Sequence, residues 1–297
     1  MQPQMSNRAR TTAGQMSRDL KFTDDDFSVI RRIVMEKTGI ALAEHKRELV
    51  YGRLAKRLRA IGLDSFSRYC AYVQEHDEEL HELVNAITTN LTAFFRESYH
   101  FDHLRESVLP ELMRSNAATR RIRIWSAGCS TGEEPYSIAM VLREVIPAGE
   151  NWDLKILATD IDTNVLERGR LGVYSEERAG DIPMSLRRRF VAKGTGQNAG
   201  RIRMRDELRS LITFRRLNLM ETWPMKGPFD IIFCRNVVIY FDKPTQKMLF
   251  DRYADILRPD GHLFVGHSET LFKVSTRFAL VGRTIYRRID GAGSSAT

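Results

Sequence analysis

Three short segments carry residue types that fit one ligand. They are Trp125-Ser126-Ala127-Gly128-Cys129-Ser130-Thr131-Gly132-Glu133-Glu134, Ala158-Thr159-Asp160-Ile161-Asp162 and Ile231-Ile232-Phe233-Cys234-Arg235-Asn236-Val237. Each is an apolar run that ends abruptly in Gly, Asp or Asn. Parallel strands look like this when their carboxyl ends open onto a binding crevice. The pattern implies a nucleoside-cofactor site on a doubly wound α/β sheet.

The chemistry of the three ends narrows the ligand. Gly128 and Gly132 let the backbone turn tightly ahead of a helix, but they do not spell the dinucleotide GxGxxG. Glu133 and Glu134 then occupy the first helical turn. Two carboxylates there repel a phosphate and suit a ligand carrying ammonium or sulfonium charge; they also satisfy the helix dipole. Asp160 ends the second strand where an acid can accept ribose hydroxyls, and Asp162 reads as the N-cap of the following helix. Asn218 and Leu219 close the next strand region. Asn236 can hydrogen-bond a base or position a substrate, and Tyr240 can line the reaction centre. The three cysteines, Cys70, Cys129 and Cys234, are far apart with no CxxC or metal-ligand spacing. They read as reduced thiols, and no metal site is expected.

The elements that must position these residues fall into two blocks. From Phe22 to about Thr89 the pattern is helical throughout. Thr23 followed by Asp24, Asp25 and Asp26 starts a first helix, Gly39 and Gly62 end the first and second, Asp64 or Ser65 caps a third, and Glu78–Ile87 reads as a fourth. The polar cluster Thr88-Thr89-Asn90 is expected to cap a helix running to about Met113. Beyond it strands and helices alternate: Ile122–Ser126, helix Glu133–Val145, Leu154–Ala158, helix Thr163–Arg170. The alternation breaks between Leu171 and Arg209, where Arg189–Lys193 and Arg201–Arg205 flank a Gly/Asn turn and suggest an inserted hairpin. It resumes with Leu211–Phe214, Phe229–Phe233, helix Pro244–Leu257, Leu263–Gly266 and a last strand near Thr284–Tyr286. The expected organisation is a disordered tail over 1–20, a helical domain over 21–89, a sheet domain over 90–290 with an antiparallel β insertion at about 175–210, and a flexible tail over 291–297.

The chain of 297 residues is 42% hydrophobic and 28% charged, enough to bury a core. No apolar stretch approaches the ~20 residues of a membrane helix, and no apolar signal core opens the chain, so a cytoplasmic protein without membrane insertion is expected. The net charge of +8 implies an acidic partner. Its arginines and lysines gather in Lys46–Arg59, Arg114–Arg123, Arg187–Arg189 and Arg201–Arg216.

Several of these segments resemble a known family. Leu91-Thr92-Ala93-Phe94-Phe95-Arg96, Ser130-Thr131-Gly132-Glu133-Glu134-Pro135-Tyr136-Ser137-Ile138-Ala139-Met140, Asp160-Ile161-Asp162, Phe233-Cys234-Arg235-Asn236-Val237 and Gly261-His262-Leu263-Phe264-Val265-Gly266-His267-Ser268-Glu269 are similar to the motifs of CheR-type chemoreceptor methyltransferases. The resemblance spans about residues 22 to 288. It implies S-adenosylmethionine as cofactor, S-adenosylhomocysteine as product and receptor glutamates as substrate, giving γ-methyl esters. By position it implies cofactor contacts at Asn90, Thr92, Arg96, Glu134, Asp160, Asn218, Leu219, Arg235 and Asn236, with Tyr240 and Arg96 as the catalytic candidates. Arg96 would hold the methionine carboxylate, Glu134 would face a cationic part of the methionine moiety, and Tyr240 would position the methyl group or the incoming carboxylate.

The same resemblance bears on the substrate, the cytoplasmic helical bundle of a chemoreceptor. On the helix around Lys46–Ile61, Val50, Leu54, Leu58 and Ile61 share one face at 100° per residue, with Arg53 and Arg57 along its border. Arg53 aligns with a family arginine implicated in substrate recognition. Gly194-Thr195-Gly196 with Gly200 and Arg203 resembles members whose β insertion binds a C-terminal receptor peptide as an added strand. Two other readings remain. A nucleic-acid methyltransferase would suit the basic balance, but Arg235-Asn236-Val237-Val238 lacks the prolines of a base-flipping loop, so no nucleic acid is expected. A non-catalytic cofactor-binding scaffold is opposed by the near-complete set of site residues.

Overall fold

The protein is described by a computed structural model over residues 20–289. Apart from Leu20, the expected tails at 1–20 and 291–297 lie outside the described residues. Thr23 begins the first helix, α1 (Asp24–Thr38), with a capping box in which Thr23 Oγ1 accepts from the Asp26 amide at 3.1 Å and the Asp26 carboxylate accepts from the Thr23 amide at 3.0 Å. Gly39 ends it in the left-handed conformation, φ 71°. A Cβ at Gly39 would lie 2.6 Å from Met220 Sδ, so this turn is also a close approach of the helical block to the sheet. α2 (Arg47–Ala60), α3 (Phe66–Glu75) and α4 (Asp77–Ile87) follow, and Ser65 caps α3 as its sequence suggests. Phe27, Val34, Val50, Leu54, Leu58, Phe66 and Leu83 bury the shared core of the four helices.

The segment after α4 departs from expectation. No helix starts at the Thr/Asn cluster. Residues 88–98 cross the sheet end as an irregular strap, and the helix begins only at Tyr99, as α5 (Tyr99–His103), passing through a π-turn (Leu104–Val108) into α6 (Leu109–Ser115). The reason is conformational: Phe95 and Glu97 hold φ of 52° and 58°, left-handed values that an α-helix cannot contain.

The sheet domain runs β1 (Arg121–Ala127), α7 (Glu133–Val145), β2 (Asp153–Asp160), α8 (Thr163–Leu171), β3 (Val173–Ser175), α9 (Met184–Phe190), β4 (Val191–Lys193), β5 (Arg201–Met204), α10 (Asp206–Arg209), β6 (Ile212–Arg216), β7 (Phe229–Cys234), α11 (Lys243–Ile256), β8 (Leu257–Val265), β9 (Phe278–Gly282) and β10 (Ile285–Arg288). Seven strands form one sheet in the order β6-β2-β1-β7-β8-β10-β9. The first five are parallel, and β10 and β9 close the edge antiparallel. β9 was not visible in the sequence because its short run, Phe278-Ala279-Leu280-Val281-Gly282, alternates neither way. The chain leaves β1 toward β2 on one side, while β7 and β8 lie on the other. The carboxyl ends of β1 and β7 are therefore the topological switch point, where open α/β sheets place their ligands.

Hydrophobic clusters cover both faces of the sheet. Ile122, Ile124, Ile138 and Leu142 pack in one, Trp125, Leu249, Phe250 and Tyr253 in the other. The insertion is a three-stranded antiparallel sheet, β3-β5-β4, rather than a two-stranded hairpin. β3 pairs with β5 from the far side, and Arg189 and Phe190 belong to α9, whose apolar side is buried. Among the described residues no helix is long and apolar enough to cross a membrane.

Candidate functional site

One cleft, enclosing about 1170 Å³ including its open mouth, lies over the carboxyl ends of β1, β2 and β7. Asn90, Thr92, Arg96, Glu134, Asp160, Asn218, Leu219, Arg235 and Asn236 all line it, and so does Tyr240. These residues come from the strap and from four separate strand ends, so the fold, not the sequence, brings them together.

The floor is the turn after β1. Gly128 has φ 78°, and a Cβ there would lie 2.4 Å from Val237 Cγ2. Only glycine leaves this approach open, and both the Gly128 and Cys129 amides donate to the Thr159 carbonyl, at 2.8 and 2.9 Å. Asp160 accepts from the Ser130 amide at 2.8 Å and from the Asp162 amide at 3.0 Å. Burial, helped by the Asp162 charge, pushes its carboxyl up to about 6 against the pull of those amides. Asp162 caps α8, accepting from Asn164 N–H at 2.8 Å, and its other oxygen accepts from Asn90 Nδ2 at 2.7 Å and Thr88 Oγ1 at 3.2 Å. The strap is thereby pinned to the end of β2.

The two glutamates of α7 part ways. Glu134 lines the cleft, accepting from Ser126 Oγ at 2.7 Å and pairing with Arg235 at 3.1 Å. Glu133 does not line it. The residue types alone treat the two carboxylates alike and the resemblance assigns only Glu134; the 100° step of the helix directs Glu133 away, its buried carboxylate paired with half-exposed Arg178 of the insertion.

Arg235 is buried between Glu134 and Glu97, 3.2 Å from the latter, and its guanidinium stands 5.5 Å over the Phe101 ring. Asn236 is left-handed, φ 58°. Its amide and those of Val237 and Ile239 donate to the single buried carboxylate of Glu269, at 2.8, 2.9 and 3.2 Å. Glu269 thus shapes the loop that leads to Tyr240. Asn218 donates to the Lys37 carbonyl at 2.7 Å, and the Tyr240 carbonyl accepts from the Ala41 amide at 2.9 Å, so both also dock the helical domain. Arg96 Nη1 donates to the Leu91 carbonyl at 2.9 Å. At the mouth the Lys46 ammonium sits 5.0 Å over the Tyr240 ring.

The residues fit S-adenosylmethionine. Gly128, Cys129 and Ser130 line the cleft and leave room for an adenosine, Asp160 offers a carboxylate to a ribose, and buried Arg235 Nε has no acceptor among the described residues. Among those residues no cluster of His, Cys, Asp or Glu could hold a metal ion.

The proposed substrate residues lie outside the cleft. Arg53 donates to the Ala86 and Thr88 carbonyls, at 3.2 and 2.7 Å, closing the end of α4. Arg57 forms a bidentate pair with Glu79, at 2.9 and 2.6 Å. Arg203 stands exposed on β5, the central strand of the insertion, 3.8 Å from Asp206. Sequence reasoning overlooked Lys46, Glu97 and the role of Glu269. Lys46 opens the basic helix but gives no local sign of facing Tyr240, and the two glutamates reach the cleft residues through contacts distant in sequence, Glu97 to Arg235 and Asn236 and Glu269 to Asn236, Val237 and Ile239.

Comparison with known proteins identifies the family. Residues 90–287 match the family described as CheR methyltransferase, SAM binding domain, and residues 25–88 match CheR methyltransferase, all-alpha domain. Chemotaxis protein methyltransferase 2 of Pseudomonas aeruginosa is 47% identical over 271 residues, covering 91% of this chain and 95% of that protein. The chemotaxis protein methyltransferases of Escherichia coli and Salmonella typhimurium are 42% and 44% identical, each over 92% of this chain and 93% of theirs. The nucleic-acid and scaffold readings draw no support from these matches.

Proposed function

This chain belongs to the CheR methyltransferase family and uses S-adenosylmethionine for methylation in chemotaxis, and we propose that its acceptors are glutamate side chains of chemoreceptors, converted to γ-methyl esters. The observation that carries the acceptor class is the cleft mouth. Lys46 and Tyr240 stand there together, and among the described residues the lining contains no histidine. Its two carboxylates are already engaged, Glu134 by Ser126 and Arg235, Asp160 by two backbone amides. An amine or hydroxyl acceptor would need a base to take its proton. A glutamate, with reference pKa ~4.3, arrives ionised and needs none.

When bound, S-adenosylmethionine supplies a methyl group activated on sulfonium. The chain's own work is alignment. Asp160 would accept the ribose hydroxyls, Arg96 would pair with the methionine carboxylate, and Glu134 would place negative potential near the cationic centre. Lys46 draws in the acceptor carboxylate and the Tyr240 hydroxyl orients it. So held, the acceptor carboxylate oxygen would take the methyl group that the bound cofactor supplies, with S-adenosylhomocysteine as the product. The receptor would be met in the cytoplasm, with Arg53, Arg57 and their neighbours on α2 facing its acidic helices. A receptor peptide added beside β3 or β4, the edge strands of the β3-β5-β4 sheet that flank Arg203 on β5, would raise the local concentration of methylation sites.

The test is transfer of tritiated methyl from S-adenosylmethionine to a receptor cytoplasmic fragment, counting base-labile label, with Asp160→Ala alongside. Base-labile counts that vanish in the variant are expected. Stable label, or none on the receptor with cofactor still bound, would defeat the glutamate reading.

A further inference from the structure

Glu97 does not line the cleft, yet three residues that do are tied to it. Its carboxylate is nearly buried in the strap. One oxygen lies 3.2 Å from the Arg235 guanidinium. The other accepts from Asn236 Nδ2 at 3.4 Å and from the His267 amide at 3.2 Å, and meets His267 Nδ1 at 2.9 Å. Tyr99 and His100 of α5 approach the same group at 3.4 and 3.5 Å. Arg235 closes the ring by donating to the carbonyl of Arg96, the residue before Glu97. One carboxylate therefore gathers the end of β7, the turn after β8, the start of α5 and the strap.

The backbone shows that this gathering is imposed. Glu97 and Asn236 both hold φ of 58°, a left-handed value that asparagine adopts readily but that glutamate seldom does, so the contacts around Glu97 hold it there. The two left-handed residues are bonded to each other through the Glu97 carboxylate. Charge acts in the same direction. Arg235 stands between Glu97 and Glu134, so its guanidinium is held from both sides and cannot swing toward either. Burial would raise the Glu97 carboxyl, but the His267 contacts and the Arg235 charge outweigh it and hold the group down at about 2, ionised across the working range.

We infer that Glu97 is a positioning residue for the cofactor: it fixes Arg96, Arg235 and Asn236, all of which line the cleft, in their places without itself touching the ligand. The inference rests on the cofactor reading of the cleft and not on the identity of the methyl acceptor. A merely structural ion pair would instead affect stability alone.

The experiment is calorimetric titration of the full chain with S-adenosylhomocysteine, beside methyl-transfer kinetics, for wild type, Glu97→Gln and His267→Ala. Wild-type binding tests the cleft reading separately. Glu97→Gln keeps size and loses charge, so it is expected to weaken binding about tenfold while leaving KM for the receptor fragment unchanged, the effect of losing a charge-assisted contact. His267 is exposed and lines no part of the cleft, and His267→Ala should weaken binding in the same direction by about threefold. Unchanged affinity in a folded Glu97→Gln protein overturns the inference. If that variant fails to fold, unchanged affinity in His267→Ala overturns it equally, and weakened affinity there sustains it.

Discussion

The guanidinium of Arg178, half-exposed on the inserted subdomain, closes on the carboxylate of Glu133, which has no exposed surface at all. Thr131 Oγ1 donates to the same carboxylate at 2.6 Å, and the Tyr174 hydroxyl of β3 donates to the Thr131 carbonyl at 2.8 Å. The insertion thus braces the back of the glycine turn whose front lines the cleft. An element that reads as a detachable docking module is built into the support of the cofactor site.

Arg178→Gln should therefore act at a distance. It removes the charge partner of a buried carboxylate and leaves Thr131 and a backbone amide to hold it, which is costly. Because Arg178 itself is half in solvent, the expected loss of unfolding free energy is about 1–3 kcal/mol, read by denaturant titration. The same variant should weaken S-adenosylhomocysteine binding, since the turn loses its brace. Binding that stays at the wild-type value while stability falls would show the brace to be structural only.

Asp160 sets an acid limit on cofactor binding. Its carboxyl, raised from 3.8 to about 6 by burial, must be ionised to accept two ribose hydroxyls. Affinity is thus expected to be flat above pH 6 and to fall below it, approaching a tenfold loss per pH unit well into the acid range, with proton release on binding near pH 6. The unliganded fold shows the opposite sign. A carboxyl whose folded value is raised favours the folded state while protonated, so that contribution is present below about 3.8 and lost as pH rises through 6. Calorimetry in buffers of different ionisation enthalpy separates the two. Affinity independent of pH between 5 and 7 would remove Asp160 from the ribose role.

The strand ends and the helical block were legible because each signal is local. An apolar run broken by Gly128, Asp160 or Asn236 announces a crevice, and Thr23 or Gly39 announces a helix end, with no knowledge of the rest of the chain. What escaped depends on partners distant in sequence. The strap at 88–98 reads as a helix start until Glu97 is seen bonded to Arg235 and His267. Glu133 and Glu134 are equivalent in sequence and are separated only by what faces each side of α7. Arg53 and Arg57 look free on a helical wheel, and the partners that engage them, the α4 end and Glu79, lie on another helix.

Those engagements alter how the receptor surface should be probed. Arg53 closes the end of α4, and the chain runs from there directly to Asn90. Arg53→Glu is expected to lower the melting temperature and to weaken cofactor binding along with methylation. Lys56 and Arg59 are exposed on the same helix. The double reversal Lys56→Glu with Arg59→Glu should raise the receptor KM by about three- to tenfold at low salt, leave cofactor affinity alone, and lose its effect at high ionic strength. A receptor KM that does not move in the double variant would take α2 out of the encounter surface.

Tyr240 offers the sharpest separation of binding from transfer. Its backbone is fixed twice, by the Glu269-held loop before it and by the Ala41 amide on its carbonyl, so removing the hydroxyl leaves the ring in place. Lys46 then remains over the ring face, and Asp160, Arg96 and Glu134 are untouched. Cofactor affinity in Tyr240→Phe should stay within about twofold of wild type, since no part of the glycine cradle or ribose site has changed. Turnover should fall by about 10- to 100-fold, because a carboxylate no longer oriented spends less time in line with the methyl carbon. Single-turnover methyl transfer at saturating cofactor isolates that step from product release. Equal losses in affinity and turnover would mean that the hydroxyl contributes to holding the ligand rather than to aligning the acceptor.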